Sequence, residues 1–540
     1  MGSDIARSLL FFGWFYNHWD RHPTWTLLAT LFVIIVLFRV YETARQYRRL
    51  RHFKGPPLAA VSKSWLLKTV TGSRGHLEFY NVTRRYGSLA RIGPNDLLND
   101  DPALMRRMLG VRSEYRRSDW YDGMRFNPSR DNVLSCRDED EHTKLRSKMA
   151  AGYSGREVQA FEQKIDENLL RLIALIEGYA DESKPFDFGR KAQFFTLDVI
   201  SDLAFGEPFG FVASDSDMYE YIETTEENLP VFMGMTVVPW VIRLFRYPLL
   251  RSMLPTEKDP LGFGKVMGIA KRFSAERFGP DAKVQRDMLG SFVAHGLTQE
   301  EAESEILLQI IAGSDTTATA IRATLLYIIT NPRVHNKLLA EILTSDMNAK
   351  TATHDRPVIS DAEARNLPYL QAVIKEGLRI FPPVAGLMAK QAPPEGDTWN
   401  GAFIPGGTRV GWSSWAMFRR HDVFGEDASE FRPERWLAGQ GEDAKEEDGT
   451  TGAAEKRLRE MEATIELVFS YGRYQCLGRP VALMELNKVF FEHVGSGAKG
   501  LTLEIHTDKG VLSAATTIRA HHLRSVEPVE DFQLRYSRTV

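Results

Sequence analysis

The most constraining feature of the sequence is a short glycine-containing run near its end that holds one of only two cysteines. Cys476 follows Gly472 and precedes Gly478, and a strongly helical segment, 480–494, comes next. A cysteine at the start of a helix is favoured as a thiolate by the helix N-terminus and by the loop N–H groups. The glycines allow positive φ and let a flat ligand approach the backbone. The run therefore predicts a single thiolate ligand of the kind that holds haem iron; the alternative is a buried free cysteine in a glycine turn.

Composition excludes several other classes of protein. Cys136 and Cys476 lie far apart, which excludes a disulfide framework and any multi-cysteine metal site. The 68 Lys and Arg residues nearly balance 71 Asp and Glu residues, so nothing indicates a nucleic-acid partner. A chain of 540 residues can bury a large core; its length allows several domains, and a single large fold is also possible.

The run 469–478 resembles the haem-binding loop of the cytochrome P450 family, which usually reads Phe-x-x-Gly-x-Arg-x-Cys-x-Gly. The matching positions are Phe469, Gly472, Cys476 and Gly478. Two residues before the cysteine, where the family has Arg or His for a haem propionate, stands Tyr474, preceded by Arg473. Fungal members of the pisatin demethylase-like group are similar here. The resemblance implies haem b as cofactor, Cys476 as the axial ligand of its iron, and Arg473 or Tyr474 as a propionate partner.

A long helical pattern from Gln299 to Thr330 carries a second candidate site. Gly313 and two adjacent threonines in its middle are poor helix formers. A threonine hydroxyl can turn to the preceding helical turn or to a ligand, and an acid beside an alcohol makes a short proton relay. The alternative is a kinked helix with a solvated Asp315. The family resemblance implies that Asp315 and Thr316 deliver protons to oxygen and that Gly313 leaves clearance for it.

Two further helical patterns carry charged pairs. His142 and Arg146 are four residues apart and share one helix face, and the resemblance implies that both hydrogen-bond to a haem propionate. The alternative for them is an exposed basic face. Glu376 and Arg379 are three apart, and the resemblance adds Arg435 of a Pro-Glu-Arg motif to make a structural triad. This triad is expected to fix the region that leads into the cysteine loop.

The N-terminal part of the chain predicts a membrane anchor. An apolar run, Trp25 to Phe38, extends to about Tyr41 and is then just long enough to span a bilayer. The residues up to Lys54 that follow it are rich in arginine, so the positive-inside rule places the remainder in the cytosol. A cleaved signal peptide and an interfacial helix are the alternatives. We expect anchor and basic linker over 1–54, on the endoplasmic reticulum membrane as a single-pass protein.

Four other segments carry structural expectations. The pattern between Arg84 and Leu98 predicts a small β-hairpin. The stretch from Leu229 to Leu254, rich in Met, Trp, Phe and Pro, predicts an apolar lid rather than a regular helix. Residues 439–455 predict an acidic, glycine-rich surface insertion. The tail 495–540 departs from the family pattern. It is either a divergent pair of strands or the product of an altered reading of the gene.

Together these features predict a mainly α protein with small β-sheets, a cytochrome P450 fold over 55–540 on an N-terminal transmembrane anchor helix. The resemblance implies a monooxygenase that inserts one oxygen atom from O2 into a lipophilic small molecule by hydroxylation or dealkylation, in fungal secondary metabolism or detoxification. No flavin or nicotinamide fingerprint is evident, so electrons are expected from NADPH-cytochrome P450 reductase, and membrane lipid is a further partner. The alternatives are an oxygen-independent haem-thiolate rearrangement enzyme and a catalytically silent haem-binding membrane protein.

Overall fold

The structure is a computed structural model. It describes residues 23–437 apart from 128, 183, 246, 253 and 352–357, together with 451–496, 501–506 and 517–522. Within these residues the chain is mainly helical with three small sheets, as the sequence predicts.

Helices form most of the described chain. The helices before the cysteine loop are α1 Pro23–Leu50, α2 Ser64–Thr71, α3 Gly75–Tyr86, α4 Pro102–Leu109, α5 Glu139–Tyr153, α6 Phe161–Asp181, α7 Phe188–Phe205, α8 Phe211–Ser214, α9 Tyr221–Val237, α10 Trp240–Leu244, α11 Pro248–Arg251, α12 Gly262–Ala275, α13 Met288–Ala294, α14 Gln299–Ile329, α15 Pro332–Thr351, α16 Asp361–Ala364, α17 Pro368–Ile380, α18 Ser414–Met417, α19 His421–Phe424 and α20 Thr451–Ile465. The helix that follows the loop is α21 Arg479–Ser496.

Ten short strands form the sheets. They are β1 Leu89–Gly93, β2 Asp96–Asn99, β3 Arg116–Arg117, β4 Pro185–Asp187, β5 Gly386–Gln391, β6 Asp397–Trp399, β7 Ala402–Ile404, β8 Arg409–Ser413, β9 Leu501–His506 and β10 Thr517–His522. The largest sheet has the order β1-β2-β8-β5-β3, and only its β2–β8 pair is parallel. The β1–β2 hairpin confirms the expectation for the segment that ends near Leu98.

The long helix α14 begins and ends where the sequence predicts. Thr298 accepts from the Glu301 N–H while the Glu301 carboxylate accepts from the Thr298 N–H, so the helix starts with a capping box. It ends before Asn331-Pro332, because proline cannot continue a helix. The buried helix α7 packs along it, which places α14 at the centre of the fold.

One expectation about local structure is wrong. Residues 229–237 belong to a regular helix, α9, which contains Pro230 and continues from Tyr221. Pro230 has no N–H to donate to the preceding turn. This loss is tolerated because the helix packs against α2 and against the 3₁₀ turn Asp119–Met124. The rest of that stretch forms the short helices α10 and α11. Residues 439–450 of the expected surface insertion lie outside the described residues, so this expectation stays a prediction; its last residues, 451–455, belong to α20.

The tail contains a strand pair, one of the two alternatives that the sequence leaves open. β9 and β10 are antiparallel, and β10 also pairs with β4, so this part of the tail joins the sheet structure of the domain. The other tail residues lie outside the described part of the chain.

The predicted anchor is helical and longer than its apolar run. Residues Leu27–Leu50 are long and apolar enough to cross a membrane. The helix α1 continues past Tyr41 through a basic segment, because Glu, Ala, Arg and Gln are good helix formers.

Candidate active site

The cysteine loop is closed by backbone contacts that need small residues. The Cys476 N–H donates to the Phe469 carbonyl oxygen at 2.8 Å. Gly472 has φ +60, and a Cβ there would lie 2.4 Å from the Leu109 carbonyl oxygen, so only glycine fits. A Cβ on Gly478 would lie 3.8 Å from Cys476 Sγ. The loop therefore places the Cys476 sulfur just before the first turn of α21, and Gly478 adds no side chain beside it.

Among the groups of the protein itself, burial has the largest effect on the pKa of the Cys476 thiol. The Cys476 side chain is exposed, although its sulfur lies deep among the surrounding residues of the fold. Burial raises the pKa of the Cys476 thiol, and the N–H groups of Gly478 and Arg479 and the charge of Arg146 only partly oppose this rise. A metal cation would supply the missing positive charge, because metal coordination deprotonates a thiol.

A cluster of buried donors lies beside this loop. Arg117, His142 and Lys390 are 5%, 1% and 0% exposed. Within the described residues, Arg117 Nε, His142 Nδ1 and Lys390 Nζ have no hydrogen-bond partner. Arg117 Nη2 lies 3.2 Å from His142 Nε2, and since a guanidinium only donates, Nε2 accepts and the imidazole proton is on Nδ1. All three unpartnered atoms are therefore donors that lack an acceptor.

The same cluster has an excess of positive charge. Burial, followed by the charges of Arg117, Arg146 and Lys390, lowers the pKa of His142 to about 3. Burial and then Arg117 also hold the pKa of Lys390 well below its ordinary value. A buried donor without an acceptor destabilises the folded protein, so the cluster fits a ligand whose carboxylate groups accept these hydrogen bonds. The two propionates of haem, next to a cysteine sulfur, meet this requirement.

The two residues before the cysteine make contacts of their own. The Tyr474 hydroxyl donates to Glu139, and the Lys390 ammonium lies 3.1 Å from the centre of the Tyr474 ring. Arg473 donates to the Val111 carbonyl oxygen, and one of its nitrogens is 3.7 Å from Glu139. The tyrosine thus supports Lys390 through a cation–π contact. That Arg473 or Tyr474 binds a propionate directly stays a prediction.

Two residues of this cluster were missed by the sequence analysis. Arg117 is on β3 in a loop-like stretch, and Lys390 is on β5. A signal existed for Lys390, since a lysine directly after the apolar and small run Gly386 to Ala389 is unusual in a buried strand. Arg117 is one of several arginines in its stretch, and only the three-dimensional contacts distinguish it.

The predicted oxygen-binding turn lies in the middle of α14. The Thr316 hydroxyl donates to the Ala312 carbonyl oxygen at 2.9 Å. Asp315 is about half exposed and is 3.3 Å from Arg322. Gly313 serves the packing of α14, because a Cβ there would lie 2.8 Å from Ile200 on α7. Ala312, one position earlier, is exposed, and Gly313 is partly exposed.

The helix after the cysteine loop packs directly against α14. On α21, Glu485 is 2% exposed, and burial raises its pKa to about 8 while a hydrogen bond with Thr317 opposes the rise. Thr317 neighbours Thr316, so the contact ties the cysteine helix to the turn with the predicted relay. The sequence analysis did not single out Glu485.

The charged triad is complete and fully buried. Arg379 donates to both Glu376 oxygens at 2.7 and 2.8 Å, and Arg435 donates to Glu376 at 3.0 Å. The Arg432 N–H and the Trp436 indole also donate to this carboxylate. Burial alone would raise the pKa of Glu376, but the two arginines hold it below its ordinary value. Lys375 on the same helix pairs with Glu462 of α20, which leads into the cysteine loop.

Comparison with known proteins agrees with this geometry. The family model described as Cytochrome P450 matches residues 56–494. A cytochrome P450 monooxygenase ABA1 of Pyricularia oryzae is 44% identical over 477 residues, which cover 86% of this chain and 90% of that protein. A cytochrome P450 monooxygenase aba1 of Botryotinia fuckeliana is 40% identical, over 82% of this chain and 85% of its own length. A cytochrome P450 monooxygenase abl1 of Leptosphaeria maculans is 35% identical, over 90% and 84%. The chain therefore belongs to the cytochrome P450 family, and it is a monooxygenase like its fungal relatives.

Proposed function

We propose that the chain holds haem b between the cysteine loop and α14 and oxidises a lipophilic small molecule. Cys476 Sγ would be the axial ligand, and Arg117, His142, Arg146 and Lys390 would surround the propionates. The observation that carries this proposal is the set of unpartnered buried donors beside an accessible cysteine sulfur. When bound, haem supplies the oxygen and electron chemistry that amino-acid side chains lack.

The residues of the chain would manage protons and water. Asp315 is exposed enough to exchange protons with solvent, and Thr316 lies next to it with its hydroxyl on the Ala312 carbonyl oxygen. A hydroxyl that leaves this carbonyl can donate to a group on the accessible side of α14. Arg322, 3.3 Å from the Asp315 carboxylate, would orient it.

Thr316→Ala is expected to uncouple the reaction. Removal of the hydroxyl should lower product formed per NADPH by at least about 100-fold, because a positioned proton donor contributes about 10²- to 10⁴-fold. The assay uses the full-length protein, a reductase and a lipophilic probe that the wild-type protein turns over, such as 7-ethoxycoumarin, with hydrogen peroxide release measured in parallel.

Thr330→Ala is the matched control for this experiment. Thr330 makes the same type of bond, from its hydroxyl to the carbonyl oxygen four residues back, at the far end of α14. Its variant should keep the wild-type ratio of product to peroxide. An equal ratio of product to peroxide in the Thr316→Ala and wild-type proteins would contradict the proposed proton relay through Thr316.

Lys390→Met is expected to weaken haem retention. The variant removes one buried charge that would pair with a propionate, so haem transfer to excess apomyoglobin should be at least about tenfold faster than from the wild-type protein. Lys337→Met, which removes an exposed lysine paired with Glu434, should not change the rate.

Tyr474→Phe separates the two roles considered for this tyrosine. The variant keeps the ring under Lys390 and removes only the hydroxyl, which donates to Glu139. Haem transfer at the wild-type rate would support the tyrosine as a platform for Lys390. Transfer as fast as from Lys390→Met would instead make the hydroxyl a direct propionate partner.

Electrons would come from NADPH through NADPH-cytochrome P450 reductase, since the chain shows no flavin or nicotinamide fingerprint.

The substrate would enter from a membrane. Exposed apolar residues near the start of the domain and on the α9–α11 region support such a face; they are Leu58, Val61, Leu229, Val231, Trp240, Tyr247 and Leu249. With α1 as a single-pass anchor in the endoplasmic reticulum, the domain would lie in the cytosol. A fungal secondary metabolite or a toxic compound would be the substrate class.

A further inference from the structure

One carboxylate lies among the basic groups beside the cysteine loop. It belongs to Glu139, the first residue of α5, whose side chain is only 10% exposed. Its Oε1 accepts from the Tyr474 hydroxyl, and its Oε2 lies 3.7 Å from an Arg473 nitrogen. Oε2 is buried, and among the described residues it has no hydrogen-bond partner. The chain therefore holds an acid at a place where the sequence analysis expected only groups that bind carboxylates.

This carboxylate acts on the buried cations of the cluster. Lys390 Nζ lies 3.1 Å and Arg117 Cζ 4.9 Å from the centre of the Tyr474 ring, whose hydroxyl donates to Glu139. Burial and then the charge of Arg117 lower the pKa of Lys390, and the negative charge of Glu139 opposes them. Glu139 thus compensates part of the positive charge that faces the expected propionates.

The helix N-terminus does not account for the inward position of Glu139. A helix start favours acidic residues, and the first turn of α5 contains three of them, Glu139, Asp140 and Glu141. Asp140 and Glu141 are exposed, and Glu141 pairs with Lys144 at 2.8 Å. A carboxylate is costly to bury, and it would serve the helix equally well in solvent. The buried position of Glu139 therefore indicates a role toward the cluster.

We propose that Glu139 lowers the reduction potential of the haem iron by holding a fixed negative charge beside the propionates. The inference rests on the proposed haem site. Reduction adds one electron to the iron, supplied by the reductase, so a nearby negative charge favours the oxidised form. Tyr474 stands where the family has a cation, and its hydroxyl orients the acid. The exchange of a cation for a tyrosine that holds an acid makes the iron harder to reduce.

The test measures the reduction potential of the full-length Glu139→Gln holoprotein. The amide oxygen can still accept from the Tyr474 hydroxyl, so the variant removes the charge and keeps this hydrogen bond. The iron is titrated with dithionite in the presence of redox mediators and followed in the Soret region. At an effective dielectric constant of about 20, a unit charge roughly 10 Å away changes an equilibrium on the order of tenfold. We expect the potential to rise by about 59 mV, which is this tenfold change for one electron.

Glu141→Gln is the matched control for the charge. It removes the same charge from the same first turn of α5, but its carboxylate is 64% exposed and pairs with Lys144. Solvent and salt screen such a charge, so the potential should stay at the wild-type value. Equal potentials in the Glu139→Gln and Glu141→Gln proteins would overturn the proposal.

Haem transfer to apomyoglobin separates the proposed role from a purely structural one. Because Glu139 repels the propionates, its neutral variant should lose haem no faster than the wild-type protein. A residue that only positions Tyr474 and Arg473 would give faster transfer at an unchanged potential, which would also overturn the proposal. The carbon monoxide spectrum of the wild-type protein is recorded first. A protein without haem refutes the proposed haem site, whereas bound haem with an unchanged potential in Glu139→Gln refutes this inference alone.

Discussion

Cys476→Ser is expected to abolish monooxygenase turnover, the largest effect of any single change in this chain. Only a sulfur ligand at this position would give iron the electron density that oxygen cleavage needs, and serine is a far weaker donor. With reductase, NADPH and 7-ethoxycoumarin as probe, we expect product to fall by at least about a thousandfold. The melting temperature of the apoprotein should change little, because serine is close to cysteine in size and the side chain at this position is exposed.

Cys136→Ser is the natural control for this experiment. The chain has only these two cysteines, and Cys136 is a buried thiol whose pKa is raised by burial to about 11. Such a thiol is inert, so the variant should turn over at close to the wild-type rate. Turnover in Cys476→Ser equal to that of Cys136→Ser would contradict the assignment of the ligand.

Glu376→Ala is expected to cause the largest loss of stability. Its carboxylate is fully buried and is shared by Arg379 and Arg435, which would be left as uncompensated buried charges. Loss of one partner of a buried ion pair typically costs about 3–5 kcal/mol in free energy of unfolding. Chemical denaturation measures this change, and a low yield of soluble protein would show the same effect. Glu434→Gln, on a half-buried carboxylate with exposed partners, should cost less than about 1 kcal/mol.

The same triad gives the direction of a pH dependence. Because Arg379 and Arg435 hold the pKa of Glu376 below its ordinary value, the carboxylate contributes stability above about pH 4.3, the value expected in the unfolded chain. This contribution should be lost as the pH falls further, through the lower pKa of the folded state. Acid unfolding of Glu376→Gln should show a smaller dependence on pH in this range than that of the wild-type protein. An unchanged dependence would contradict the charged state of the triad.

The sequence predicted those parts of the site that depend on neighbours along the chain. The cysteine loop, the helix with Asp315 and Thr316, and the Glu376–Arg379 pair all lie within short segments whose spacing is visible in one dimension. Arg435 was reached only through a family motif, and the structure confirms its contact with Glu376.

Contacts between distant segments could not be predicted in the same way. Lys390 and Arg117 come together with His142 only because β3 pairs with β5 beside α5, a pairing that no local pattern specifies. The regular helix α9 was missed because Pro230 and the aromatic residues around it suggested a break, whereas packing against α2 overrides this local preference. The hydrogen bond from Arg91 to the Gln46 carbonyl oxygen near the end of α1 was likewise invisible, since a single arginine in a strand carries no signal of its partners.

One absorption spectrum tests the central claim most directly, that Cys476 is the thiolate ligand of a haem in this chain. The protein is reduced with dithionite, exposed to carbon monoxide and scanned across the Soret region. We predict the strongly red-shifted band of thiolate ligation in the wild-type protein and its absence in Cys476→Ser. A band at the ordinary position of an imidazole-ligated haem, or a protein that takes up no haem, would contradict the account.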